Sequence, residues 1–122
     1  MSCTAKWNGA TPAESDRCLA TEGNLYFPPS SIRAVYLRPG SRRYSCPWKG
    51  EAGYYDLIVN GEVNRDAAWY YYRVKKAAGD LKDYVAFDKR LGVEVAGEPV
   101  RRIDPPRTRS ATSPNFQEKR ER

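Results

Sequence analysis

A thiol, an amine, a carboxylate and several phenols crowd one short stretch, Tyr44-Ser45-Cys46-Pro47-Trp48-Lys49-Gly50-Glu51-Ala52-Gly53-Tyr54-Tyr55. Cys46 reads as an activated nucleophile or redox thiol, with Arg43 and Lys49 nearby to favour the thiolate. It reads equally as a small apolar group held by the turn before Pro47. The chain has no histidine, so a Cys-His pair is excluded and Lys49, Glu14 or a tyrosine remains to carry a proton. Lys49 suits the carboxylate or phosphate of a ligand, and also a solvated turn. Glu14, followed by Ser15, can reach the same pocket across a sheet as an acid/base, or can stay a turn carboxylate paired with an arginine. Cys46, Lys49 and Glu14 are therefore the catalytic candidates, and whether a reaction occurs at all is left open.

Aromatic residues frame this chemistry. Tyr54, Tyr55, Trp69, Tyr70, Tyr71 and Tyr72 are more rings than a small core hides, and each buried phenol needs a hydrogen-bond partner. Some of them, with Trp48, are expected to line a concave surface; the alternative is ordinary core and rim packing. Interleaved with Arg and Lys, such rings also suit stacking on single-stranded nucleic acid.

The elements that must position these groups are short strands. Asn8-Gly9 and Asn60-Gly61 are the dipeptides that most readily take the positive φ angles of a two-residue hairpin turn. Arg17 to Thr21 reads as a short strand in which Cys18 packs as a small apolar group. Pro28-Pro29 ends the extended run Leu25-Tyr26-Phe27. Val35-Tyr36-Leu37 looks like a strand, and Pro39-Gly40 reads as a turn. Residues 52–59 alternate, with Gly53, Tyr55, Leu57 and Val59 on an apolar face and Ala52, Tyr54, Asp56 and Ile58 on a mixed one. Asn64-Arg65-Asp66 reads as a loop before the aromatic strand 67–72. Val74 to Asp83 is the one plausible helix, weakened by Gly79. Tyr84 to Phe87 and Gly92 to Val95 give two late strands joined by the charged turn Asp88-Lys89-Arg90. This pattern predicts a mainly β, small antiparallel barrel or sandwich with one short helix. No Gly-rich phosphate loop is present.

The chain of 122 residues fits one domain, assigned to residues 1–97, followed by a basic, Pro/Arg/Ser-rich tail over 98–122 that is expected to be disordered. The net charge is +6. From Pro99 onward seven Lys/Arg stand against three acidic residues, which leaves only +2 for the domain and argues against a strongly basic nucleic-acid face. Three cysteines without a C-x-x-C or Cys/His cluster point to reduced thiols in a cytoplasmic setting, with no metal site and no cofactor expected. The first residues lack the apolar run of a signal peptide, and no segment is long enough to span a membrane.

Taken in order, Trp7-Asn8-Gly9, Glu14-Ser15, Glu22-Gly23-Asn24-Leu25-Tyr26-Phe27-Pro28, Cys46-Pro47-Trp48-Lys49-Gly50, Tyr54-Tyr55, Asp66-Ala67-Ala68-Trp69-Tyr70-Tyr71 and Tyr84-Val85-Ala86-Phe87 resemble the domain of unknown function family 427, over roughly Lys6 to Ala96. The resemblance implies a small, mainly β domain with a conical or barrel-like sheet, related in shape to Mss4-like β folds. It brings no established activity. A nucleotidyltransferase-like label attaches to the family, but Gly40-Ser41 is followed by Arg42-Arg43, not by the paired acidic metal ligands such transfer requires. The Cys pairs that hold zinc in related Mss4-like folds are also missing. Glu14, Tyr26, Cys46, Lys49, Tyr54 and Trp69 match the family's recurrent motifs.

Together these readings predict a polar pocket around Cys46, Lys49, Tyr54 and Glu14 that takes a small, anionic molecule. Tyr26, Trp48, Tyr54, Tyr55, Trp69 and Tyr71 are its ligand-contacting candidates. The alternative is a non-enzymatic module that binds a protein or nucleic acid through its Tyr-rich face and basic tail. No membrane partner is expected.

Overall fold

The structure is a computed structural model that describes residues 2–106. Its strands, in order, are β1 (Cys3–Trp7), β2 (Ala10–Ser15), β3 (Leu19–Thr21), β4 (Asn24–Tyr26), β5 (Leu37–Cys46), β6 (Gly50–Val59), β7 (Glu62–Val74), β8 (Val85–Phe87), β9 (Glu94–Ala96) and β10 (Arg101–Arg102). Three hairpin turns organise them. Asn8-Gly9, Glu22-Gly23 and Asn60-Gly61 each hold two successive positive φ angles, the conformation whose twist matches antiparallel strands. They close β1 on β2, β3 on β4 and β6 on β7.

The expectation of a mainly β chain holds. The strands form three sheets, ordered β2-β1-β9, β10-β3-β4 and β5-β6-β7-β8, and no closed barrel forms among the described residues. Backbone hydrogen bonds in both directions between Phe27 and Val85, at 2.8 and 2.9 Å, join the second sheet's strand end to β8. Two apolar clusters fill the interior. One gathers Cys3, Ala5, Cys18, Phe27, Leu57 and Phe87, with Phe27 edge-on to Phe87 at 5.6 Å. The other gathers Leu19, Tyr26, Cys46, Ala52, Tyr71 and Leu81 beneath the site described below. Cys18 is fully buried, as its small apolar character predicts. No helix among the described residues is long and apolar enough to cross a membrane.

Several local expectations are corrected. The segment predicted as a helix over 74–83 is a 3₁₀ helix at Lys76–Leu81, kinked at Ala78, and Val74 still belongs to β7. The buried pair Ala78 and Leu81 is spaced by three residues, the repeat of a 3₁₀ turn. Further 3₁₀ turns occupy Pro29–Ser31, Ala34–Tyr36 and Lys89–Leu91, so Val35 and Tyr36 precede the strand that starts at Leu37. Pro39-Gly40 makes no turn. It sits inside β5, where the register against β6 slips between Pro39 and Arg43; an edge strand tolerates a residue without a donor.

Asn64-Arg65-Asp66 is likewise no loop. Arg65, Asp66 and Ala67 bulge out of β7 opposite Asp56, with Asp66 at φ 56°. Residues after 97 also pair with the sheet. Val100 and Ile103 donate to the carbonyls of Cys18 and Ala20, each at 2.8 Å, and β10 pairs parallel with β3. The rest of the predicted tail, from Arg107, lies outside the described residues.

Gly50, the first residue of β6, has φ 127°, and a Cβ there would drive into the carbonyl of Arg73 on β7. Any side chain would therefore have to part β6 from β7. Gly50→Ala is expected to cost about 2 to 4 kcal/mol and to lower the Tm by about 10 °C or more, read by thermal unfolding of the full chain.

Candidate functional site

Residues directly opposite one another in a ladder share a face. Tyr44 faces Ala52 and Ala52 faces Tyr71; Tyr54 faces Trp69. One face of the β5-β6-β7 sheet thus carries these rings, with Ala52 fully buried beneath them. The result is a cleft of about 640 Å³ lined by Tyr26, Tyr44, Lys49, Tyr54, Trp69 and Tyr71. Its charged wall comes from Arg42, Arg65, Asp66, Asp88 and Arg90.

The rings hold one another. The Trp69 indole N–H donates to the Tyr26 hydroxyl at 3.1 Å, and the two rings meet edge to face at 6.4 Å. Burial, reinforced by Cys46 and Tyr54 against the opposing Trp69 bond, pushes the Tyr26 phenol up to about 12. Burial likewise raises Tyr71, with Tyr26 and Cys46 adding to it. Both phenols therefore stay neutral near pH 7 and act as hydrogen-bonding groups.

Lys49 is the unusual cation. Only 5% of it is exposed, and its ammonium lies 5.1 Å from the Trp48 ring centroid and 5.4 Å from that of Tyr71. It donates to the carboxylate of Glu22, which also accepts the Trp48 indole N–H at 3.4 Å. Burying an ammonium is costly unless it is paired and surrounded by compensating groups, and here one carboxylate and two π faces do this. Burial pulls the Lys49 amine below its ordinary value. Glu22 is much more exposed than its partner.

The remaining cations differ in how they are engaged. Arg42 lies over the Tyr54 ring at 5.1 Å. Arg90 is tied to Asp88 by hydrogen bonds of 3.0 and 3.1 Å, and these bonds hold the Asp88 carboxyl below its usual range despite burial. Neither Arg42 nor Arg65 forms an ion pair among the described residues, so both guanidiniums keep donors for a ligand.

The structure brings Lys49, Tyr26, Tyr54, Trp69 and Tyr71 together and separates the other candidates. Cys46 is buried under the cleft floor among Leu19, Ala78 and Leu81 and does not line the cleft. Glu14 lies on β2, in a different sheet, exposed beside Ser15 and Asp16. Thiol, amine and Glu14 carboxylate do not converge; the carboxylate that meets the amine is Glu22. Trp48 packs against Lys49 at the margin. Tyr55 points to the opposite face, stacked on Tyr70 at 4.5 Å in a second depression of about 420 Å³.

Sequence reasoning missed Glu22, Arg42, Arg65, Asp66, Asp88 and Arg90. Strand alternation through residues 42–46 would have put Arg42 and Tyr44 on one face. Arg65 and Asp66 carry no such signal, because a bulge aims them. Among the described residues no group of three or more Cys, Asp or Glu is placed to hold a metal ion.

Fold and cleft define a small β domain with a cationic, ring-lined site. The family described as domain of unknown function (DUF427) matches residues 2–98, and the chain belongs to that family. No curated protein matches the chain.

The bulge that aims Arg65 and Asp66 is pinned by Asp56. Its buried carboxylate accepts the Asp66 amide at 2.9 Å and the Arg38 guanidinium at 3.2 Å. Burial alone would raise its pKa, but these two donors outweigh burial and hold it below the ordinary carboxylate value. The stabilisation is therefore complete above the unfolded value, about 3.9, and is lost as pH falls through the lower folded value. Asp56→Asn is expected to cost about 1 to 3 kcal/mol at pH 7 and to flatten the loss of stability below pH 5, measured by urea unfolding across that range.

Proposed function

We propose that the cleft binds a small anionic molecule with a flat, unsaturated part. The observation that carries this reading is the convergence of Arg42, Arg65, Arg90 and Lys49 with Tyr54, Trp69 and Tyr71 around one hollow of about 640 Å³. Two acidic groups share that wall, and one of them, Asp88, is already engaged by Arg90. The surplus is positive. Guanidiniums favour a carboxylate or phosphate, and the rings supply stacking area for a planar group. Lys49, paired with Glu22, is the amine that lines the cleft, and any chemistry on the ligand would fall there.

The test is thermal unfolding with phenyl phosphate, benzoate and adenosine monophosphate as probes. At least one is expected to raise the Tm, with an effect that weakens in high salt. An Arg42→Ser, Arg65→Ser double variant is expected to weaken binding by about 10-fold or more, since each charge-assisted bond contributes roughly 1.5 to 3 kcal/mol. A Tm unmoved by all three probes, or an equal shift in the double variant, overturns the reading.

A second reading is an interaction module, favoured by the apolar depression on the other face, where Tyr55 and Tyr70 stack among Pro29, Ile32, Leu37 and Pro39. In that reading the basic residues beyond Pro106 add salt-sensitive affinity. Fluorescence anisotropy of a single-stranded oligonucleotide, with the full chain and with a chain ending at Pro106, separates the two. Tight binding that drops about 10-fold on truncation supports the module, and no binding by either form removes its nucleic-acid version.

A further inference from the structure

We propose that Lys49 is a reactive amine that condenses with the carbonyl of a small 2-oxo acid or aldehyde carboxylate held in the cleft. The inference rests on the anion-binding reading and names the ligand class and the atom that meets it. Every other described lysine, Lys6, Lys75, Lys76, Lys82 and Lys89, is exposed. Lys49 alone is buried and lines the cleft. Its backbone is held at its carbonyl, which accepts the Lys75 amide at 2.9 Å, and the next residue, Gly50, pairs with Val74 on β7. Its ammonium lies between the Trp48 and Tyr71 rings.

The surroundings supply what the condensation needs. Burial lowers the amine's proton affinity, which enlarges the neutral, nucleophilic fraction at a given pH. Glu22, in direct contact with the amine, takes the ammonium proton. The nitrogen lone pair then bonds to the carbonyl carbon while the C=O π pair moves to oxygen, which takes up a proton that the same nitrogen gives up. Loss of that oxygen as water, with the proton returned by Glu22, leaves the C=N bond. One water leaves for each imine formed, and no oxidant or reductant is consumed. Arg42 and Arg65, with no ion-pair partners among the described residues, lie on the cleft wall to take the ligand's carboxylate.

The experiment uses the full chain with glyoxylate and cyanoborohydride, which reduces an imine to a stable carboxymethyl-lysine, followed by peptide mapping in a mass spectrometer. Carboxymethylation at Lys49 is expected to exceed that at any exposed lysine by about 10-fold or more, with a pH midpoint below theirs. Glu22→Gln, confirmed as folded by circular dichroism, is expected to slow it about 10-fold. Lys49→Arg should remove it, although the comparison among lysines within the natural chain does not depend on that variant folding. Glycolate, which keeps the carboxylate and lacks the carbonyl, is the control. A glycolate-induced rise in Tm without Lys49 labelling overturns the imine and leaves the anion site standing. Absence of Lys49 labelling together with no Tm shift from phenyl phosphate, benzoate or adenosine monophosphate overturns both, and uniform labelling of all lysines overturns the imine.

Discussion

The register of β6 against β7 is the constraint on which the rest depends. A slip of β7 by one residue would turn Trp69 and Tyr71 away from Tyr54 and bring Tyr70 in their place. The hairpin turn at Asn60-Gly61 sets the start of the ladder. The Asp56 carboxylate then absorbs the extra β7 residues by accepting the Asp66 amide. Gly53 completes the arrangement on the far face, where the Tyr70 ring lies within 3 Å of the position a Cβ would take. Ring placement on both faces thus follows from two short backbone devices, not from the rings themselves.

The cleft combines two kinds of charge. Arg42 and Arg65 are exposed, cheap to solvate, and bring long-range attraction. Lys49 is buried, costly to charge, and depends on Glu22. That dependence also has a mechanical side: Glu22 sits in the β3–β4 turn and Lys49 in the turn before β6, so the ion pair clasps two hairpins. Lys89 adds a second tie by donating to the Gly23 carbonyl at 2.9 Å. The Lys49 side of the site is therefore as rigid as those turns.

Much of the fold was legible because turn chemistry is local. Asn8-Gly9 and Asn60-Gly61 announce their hairpins through φ preferences that need no tertiary context, and alternation over residues 52–59 marks the central strand. The candidate site was legible only in part. Lys49, Tyr54, Trp69 and Tyr71 were found because aromatic and charged residues cluster along the chain, and Tyr26 through the family resemblance. Cys46 and Glu14 were placed with them on chemistry alone, whereas sheet membership sends Glu14 elsewhere and the thiol is buried in the apolar cluster that holds Leu19 and Leu81. Arg65, Asp66 and Arg90 stayed hidden, since a bulge and a 3₁₀ turn aim them and neither has a periodic signature. Pro39-Gly40 misled for a related reason: an edge strand can absorb a proline that a central one cannot.

The short parallel strand β10 lies beyond residue 98, where the family match ends. It covers the outer backbone of β3, and its Arg101 reaches Asp80 on the 3₁₀ segment. A fragment cut at the family's limit would keep every cleft residue yet expose the carbonyls of Cys18 and Ala20. Bare strand backbone of that kind invites pairing with a neighbouring molecule, so the few residues past the shared domain serve as a selvedge that keeps the weave from joining to the next piece.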